Sequence, residues 1–324
     1  MKLIDVHAHP IPQFYREALI AAGRGPSISG GFPAWSPEAA LGQMDENGIA
    51  AAILSVSQPG VHFGDDGAAR ALARQFNEYL TRLNGDHDGR FGAFAVLPLP
   101  DVAGSVAEID YALDVLKLDG IGVLASYGEL FLGDDRFDPL LEKLDARGAV
   151  VFVHPNLHPG SRALTLGVPA WVVEYPFDTT RAVVNLVLSG KRRRYPNIRF
   201  ILAHAGGTIP YLAWRIAAAP QIDRRYAALS SEDIRADLRS FWYETAQSPG
   251  PEVFGALSHV AMPDRILFGS DWPYCLSPVT ASMVAALERV DPGLRRGVEA
   301  ENALALFPRF RKSVSSSKAG RRPS

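Results

Sequence analysis

Four short motifs in this sequence carry side chains able to hold a divalent ion or move a proton. They are His7-Ala8-His9, His154-Pro155, Ala203-His204-Ala205-Gly206-Gly207 and Phe268-Gly269-Ser270-Asp271-Trp272-Pro273. Imidazole nitrogens and carboxylate oxygens are the donors that suit Zn²⁺ and its neighbours in the first transition row. In an extended segment, residues two apart point to the same side, so His7 and His9 can reach one ion. An isolated His-x-His is more often two polar residues capping a strand. The positions of the other motifs change that reading.

Short apolar, β-branched runs alternate with segments of helical period along the whole chain, the pattern of βα units around a parallel sheet. Eight runs are expected as strands: Lys2–Val6, Ile49–Ser57, Arg90–Leu99, Gly120–Ala125, Ala149–Val153, Arg199–Ala203, Phe241–Ala246 and Arg265–Gly269. Val150-Val151-Phe152-Val153 is continuously apolar, as a strand buried on both faces must be. Between the runs, Ser36 caps a helix that has Pro37 at its first position and Gly48 at its end. Val102–Leu118, with Val106, Ile109, Leu113 and Leu116 on one face, Asp138–Gly148 and Ser277–Val290 read as further helices. Eight βα units predict a single (β/α)₈ barrel, with an open doubly wound sheet as the alternative. His7, His154, His204 and Asp271 then stand at the ends of the first, fifth, sixth and eighth strands, all facing the C-terminal mouth where barrel enzymes place their chemistry.

The 324 residues suffice for one large domain, expected over 1–310, and no interdomain linker is evident. Gly23–Trp35 and Leu157–Tyr175 read as long loops, of the kind that wall a pocket. The basic stretch 311–324 reads as a disordered tail. A formal net charge of −2 gives no overall field favouring nucleic acid. No apolar run approaches membrane-spanning length, and Asp5 and His7 interrupt any signal-peptide stretch. The single cysteine, Cys275, excludes an intrachain disulfide framework and fits a cytoplasmic protein.

Taken together, Asp5-Val6-His7-Ala8-His9, His154-Pro155, Ala203-His204-Ala205-Gly206-Gly207 and Phe268-Gly269-Ser270-Asp271-Trp272-Pro273 resemble the amidohydrolase-related superfamily over roughly residues 2–308. The branch they are most similar to contains aminocarboxymuconate semialdehyde decarboxylase and the hydroxybenzoate decarboxylases. Pro176-Phe177-Asp178-Thr179-Thr180-Arg181 and Trp242-Tyr243-Glu244-Thr245-Ala246 resemble its 6-methylsalicylate decarboxylase-like members. The resemblance implies that His7, His9, His154 and Asp271 hold one divalent ion. Three imidazoles and a carboxylate suit Zn²⁺ and also accept Mn²⁺ or Co²⁺. The fourth strand ends Val123-Leu124-Ala125-Ser126, without the lysine that bridges two metals in some relatives, so the expected site is mononuclear. His204 corresponds to the family's catalytic histidine, either a fifth ligand or, as we prefer, a free imidazole that moves a proton near neutral pH. Asp271 could both ligate and shuttle a proton. The resemblance also implies a homodimer.

Several other residues carry a functional reading beside a structural one. Arg181 and Arg215 could pair a substrate carboxylate, or could be exposed or make structural ion pairs. Glu244 could orient a ligand histidine or serve the fold alone. Trp272, Tyr274 and Phe177 could wall an aromatic pocket or pack in the core. His158 is the remaining histidine closest to the expected mouth, whereas His62, His87 and His259 read as surface residues. Cys275 reads as a packing residue, with no base beside it. Ala205, Gly206 and Gly207 either admit a flat ring beside His204 or keep its turn tight. The leading function is non-oxidative decarboxylation of a hydroxybenzoate-like or related unsaturated carboxylic acid. The alternative is hydrolysis of a lactone or amide, because the same donor set serves both reactions. A non-catalytic metal-binding protein is the third reading.

Overall fold

The computed structural model describes residues 2–26, 31–164 and 166–315, with the side chains of 162 and 163 left aside. Eight parallel strands form one sheet: β1 (Leu3–Ala8), β2 (Ile49–Leu54), β3 (Phe91–Val96), β4 (Gly120–Leu124), β7 (Val150–His154), β8 (Arg199–Leu202), β9 (Trp242–Glu244) and β10 (Ile266–Leu267). A small antiparallel hairpin, β5 (Ser126–Tyr127) and β6 (Leu130–Phe131), projects after β4. The sheet curls until its two ends meet. Val6 N–H donates to Phe268 O at 3.0 Å, Asp271 N–H to His7 O at 2.7 Å and His9 N–H to Trp272 O at 2.8 Å. This seam makes the sheet a barrel, and it joins the first metal-capable motif directly to the last.

All eight expected strands are present, with shifted boundaries. β1 runs through His7 to Ala8 and β7 includes His154, so both histidines sit on the ladder itself. Side chains including Ile4, Val6, Ile53, Phe94, Phe152 and Ile201 fill the barrel interior. The interior is closed from below by the C-terminal segment, through Leu306, Phe307 and Phe310. Arg309 pins that segment, its Nε donating to Asp119 Oδ1 at 2.6 Å.

The helices follow their local signals. Ser36 Oγ accepts the Ala39 N–H at 3.1 Å and caps Pro37–Glu46. Val102–Asp110 continues through a wider π-helical turn, Tyr111–Val115. Two expectations need correction. Leu157–Tyr175 is not loop throughout, because the helix Ala170–Leu188 begins inside it and carries Pro176 in its interior. Proline ordinarily ends a helix, yet here it stands seven residues into one. The tail is not irregular from its first residue: Arg311–Ser315 is helical, and Ser313 Oγ donates to Gly89 O at 2.7 Å. Residues 316–324, part of the expected tail, and 27–30, part of the loop Gly23–Trp35, lie outside the described residues, as does 165.

The buried C-terminal plug yields a prediction for stability. Phe310 is fully buried, so Phe310→Ala should cost about 3–5 kcal/mol. The check is the urea midpoint, and an unchanged midpoint would show that the plug is not part of the cooperative barrel.

Candidate metal centre

β1 delivers two imidazoles to one point, with His7 Nε2 and His9 Nε2 only 2.9 Å apart. Asp271, from the turn after β10, brings Oδ1 to 3.1 Å from His9 Nε2 and 3.4 Å from His7 Nε2. His154 completes the group, its ring centroid 4.8 Å from that of His9 and 5.2 Å from that of His7. One ligand atom from each of His7, His9, His154 and Asp271 falls within a common span of 4.8 Å, and all four residues are buried.

The other ring nitrogens explain why the imidazoles face inward. His7 Nδ1 meets Glu244 Oε1 at 2.8 Å, His9 Nδ1 meets Ser55 O at 2.9 Å and His154 Nδ1 meets Pro155 O at 2.8 Å. A carboxylate or carbonyl oxygen can only accept, so every Nδ1 carries a hydrogen and every Nε2 is the atom turned to the shared point, its lone pair available to an ion once His7 gives up its second proton. Three lone pairs and a carboxylate converging in a buried space form a donor set that fits a divalent ion. Among the described residues no lysine accompanies them.

Protonation follows from the same geometry. Burial would lower His7, but the charges of Glu244 and Asp271 outweigh it and raise its pKa to about 9. Burial lowers His9, against the Asp271 contact, and burial with the neighbouring His9 and His7 charges holds His154 well below the usual range. Burial would raise Asp271, but the His7 charge and the His204 and His9 imidazoles hold it well below the usual carboxylate range. The metal-free cluster thus keeps one proton, on His7, at the place a cation would share.

Glu244, at the end of β9, organises two strands besides its own. Its Oε1 accepts from His7 and from the His204 backbone N–H at 2.5 Å, and its Oε2 accepts from Ala246 N–H at 2.7 Å. Gly269 makes room for it, because a Cβ there would collide with Glu244 Oε2 and crowd the His7 Cβ. Asp5 acts similarly across the seam, accepting from Ser270 Oγ at 2.5 Å, from Ser270 N–H at 3.0 Å and from His7 N–H at 3.0 Å. Burial raises its carboxyl to about 7.

His204 lies outside the group of four. Its Nε2 approaches Asp271 Oδ2 at 3.5 Å, and neither ring nitrogen makes a hydrogen bond. It opens a turn in which His204, Ala205, Gly206 and Gly207 all have positive φ, between 53° and 73°. The small residues here serve that turn: a Cβ on Gly207 would collide with Pro176 O.

A cavity of about 510 Å³ opens above the cluster, within the range of small-molecule sites. His154, Asp271, Gln247, Tyr175, Tyr274 and Ser57 contribute polar atoms, while Trp171, Cys275, Leu276, Val279 and Met283 supply apolar wall. Val279, Ser282 and Met283 share one face of the helix Ser277–Leu287. Neither arginine singled out from the sequence lines this space. Arg215 is exposed on the helix Ile209–Ala217, and Arg181 lies over the Phe177 ring at 5.9 Å. Trp272 is packed in the core and Phe177 is exposed, so of the three suggested aromatic walls only Tyr274 lines the cavity. His158 stacks on Phe131, away from the cluster. Gln247, Ser57 and Tyr175 escaped sequence reasoning, since nothing in their local sequence marks them.

The sequence matches the model of the Amidohydrolase family over residues 4–309. The chain belongs to the amidohydrolase family. Among its relatives, the 6-methylsalicylic acid decarboxylase of Penicillium expansum is 35% identical, over 98% of this chain and 100% of that one. A solved amidohydrolase structure superposes with a TM-score of 0.87 at 28% identity, covering 95% of this chain and 100% of that one. The dihydroxybenzoic acid decarboxylase of Polaromonas sp., solved with manganese and 2-nitroresorcinol, shares the fold at a TM-score of 0.78 and 24% identity, covering 97% and 98%.

Two predictions follow from this amidohydrolase centre. Because His7 in the metal-free protein holds its proton up to about 9, metal binding at pH 7 must displace it. Calorimetry in buffers of different ionisation heat should show release of about one proton, with apparent affinity falling roughly tenfold per unit below that pKa. Absence of proton release at pH 7 would refute the protonation scheme. Gly269→Ala should destabilise the fold by about 1–3 kcal/mol through overpacking and reduce bound metal, as read by the unfolding midpoint and elemental analysis.

Proposed function

We propose that this chain is a metal-dependent, non-oxidative decarboxylase of a hydroxybenzoate-type acid, with 6-methylsalicylate as the first substrate to test. The observation that carries the reading is its similarity along the full length of a 6-methylsalicylic acid decarboxylase, which favours decarboxylation over hydrolysis where the donors alone serve either. His7, His9, His154 and Asp271 are the ligands in this reading, with Zn²⁺ preferred from the donor types and Mn²⁺ or Co²⁺ compatible. Bound there, the ion would draw electron density from the substrate carboxylate or an adjacent hydroxyl.

The chain's own residues do the rest. Leu276, Val279, Met283 and Trp171 present apolar surface to a ring. His204, buried but free of hydrogen bonds at both ring nitrogens, delivers a proton to the ring carbon that bears the carboxylate, with Asp271 Oδ2 beside it at 3.5 Å. The carbon–carbon bond then breaks, its electron pair returns to the ring and CO₂ leaves, so one proton replaces one CO₂.

We assign the protein to the cytoplasm and to a homodimer. Among the described residues no helix is long and apolar enough to cross a membrane. The dimer is supported by apolar side chains left exposed on neighbouring helices, among them Trp171 and Val172 on one and Tyr211 and Trp214 on the next.

The test is CO₂ release from 6-methylsalicylate with formation of 3-methylphenol by the metal-loaded protein. His204→Ala should lower turnover by roughly 10²–10⁴-fold with metal content unchanged. Cleavage of esters or lactones, with no CO₂ from a panel of hydroxybenzoates, would overturn the reading.

A further inference from the structure

Gln247 leaves β9 three residues after Glu244 and holds a left-handed backbone, φ 55°. Such a conformation is unusual for a residue with a side chain and persists only where the surroundings hold it. Two contacts do so. Its backbone N–H points to Met283 Sδ at 3.0 Å, and its side-chain Nε2 donates to Asp271 Oδ2 at 2.5 Å. The carboxylate can only accept, which sets the amide orientation. Asp271 is itself left-handed, φ 59°, so the pair is held from both backbones.

This contact divides the work of the two Asp271 oxygens. Oδ1 faces His9 and His7 at 3.1 and 3.4 Å, while Oδ2 faces Gln247 and, at 3.5 Å, His204. Without the amide, the Oδ2 side keeps the longer 3.5 Å approach of His204 Nε2, a weaker hold than the 2.5 Å contact, and the carboxylate is freer to turn about its terminal bond. We propose that Gln247 is a positioning residue for Asp271, holding Oδ2 so that Oδ1 alone is presented to the metal. The inference rests on the metal-site reading above and adds to it the residue that fixes how the carboxylate binds.

Manganese alone is the probe, with the full chain stripped of metal. Gln247→Met keeps the side-chain length and removes the donor. It should weaken Mn²⁺ binding by about 10–100-fold, the usual effect of losing a partner behind a ligand, and alter the Mn²⁺ electron paramagnetic resonance spectrum. Gln247→Asn keeps an amide one methylene shorter and should recover part of the affinity. The unfolding midpoint of the metal-free variants should stay near that of the wild type. Wild-type Mn²⁺ affinity and spectrum in the Met variant would overturn the proposal while leaving the metal site intact. So would an affinity loss that the Asn variant does not relieve and that tracks a fall in the metal-free midpoint, which marks a packing role. If the Met variant does not fold, the Asn variant decides alone: a loss of affinity with a changed spectrum supports the proposal, and wild-type values overturn it. A wild-type protein that takes up no Mn²⁺ would remove the metal-site reading and this inference with it.

Discussion

The candidate site depends on one buried anion, the Glu244 carboxylate. It is fully inaccessible to solvent and accepts from His7, from the His204 backbone and from Ala246. An unpaired charge in that position would be costly, so each donor is required by the electrostatics as well as by the geometry. By taking the Nδ1 hydrogen of His7, Glu244 turns the Nε2 lone pair inward. By holding the His204 backbone, it sets where the strained turn begins. Gly269 exists in this arrangement as the absence of a side chain, because any Cβ would occupy the carboxylate's place.

Strain and stability lie at opposite ends of the barrel. His204, Ala205, Gln247 and Asp271, all of them with positive φ and none a glycine, gather at the C-terminal mouth. The opposite end is filled by close-packed apolar groups, with Phe307 and Phe310 closing the interior and Arg309 tied to Asp119. Backbone in sparsely populated conformations persists when its surroundings over-determine it. Here the Asp5–Ser270 contact across the seam and the Glu244 contact beneath it do so.

The site was legible in the sequence where function and periodicity coincide. His7, His154, His204 and Asp271 stand at the ends of apolar strands, and a strand end is a place that alternation and turn residues reveal. The contacts behind them were less legible. Glu244 was recognised only as one of two readings, and the Asp5–Ser270 contact spans 265 residues, beyond any local pattern. Gln247 had no signal: a glutamine after a strand is ordinary, and a left-handed φ on a non-glycine residue leaves no mark in composition. The start of the helix Ala170–Leu188 was not legible either, because it has no side-chain cap and carries Pro176 in its interior. Beyond the proline, Thr180 Oγ1 donates to the Pro176 carbonyl and the residues from Asp178 onward include many that are buried.

The cavity also bears on why the two arginines singled out from the sequence stand apart from it. A guanidinium gripping the substrate carboxylate bidentately stabilises a charge that disappears as neutral CO₂ departs. Added to the ion that would already engage the carboxylate or the adjacent hydroxyl, such a grip strengthens the ground state more than the transition state. Arg181 over Phe177 and Arg215 on an exposed helix face leave the described cavity lining without a guanidinium. In the proposed reading the carboxylate would face the ion held at His154 and Asp271, with His204 beside it, while the ring would lie against Val279, Leu276 and Met283. An apolar wall favours the less charged side of the reaction. Binding energy drawn from the ring, which is unchanged by the chemistry, can hold the substrate without stabilising the charge that must be lost.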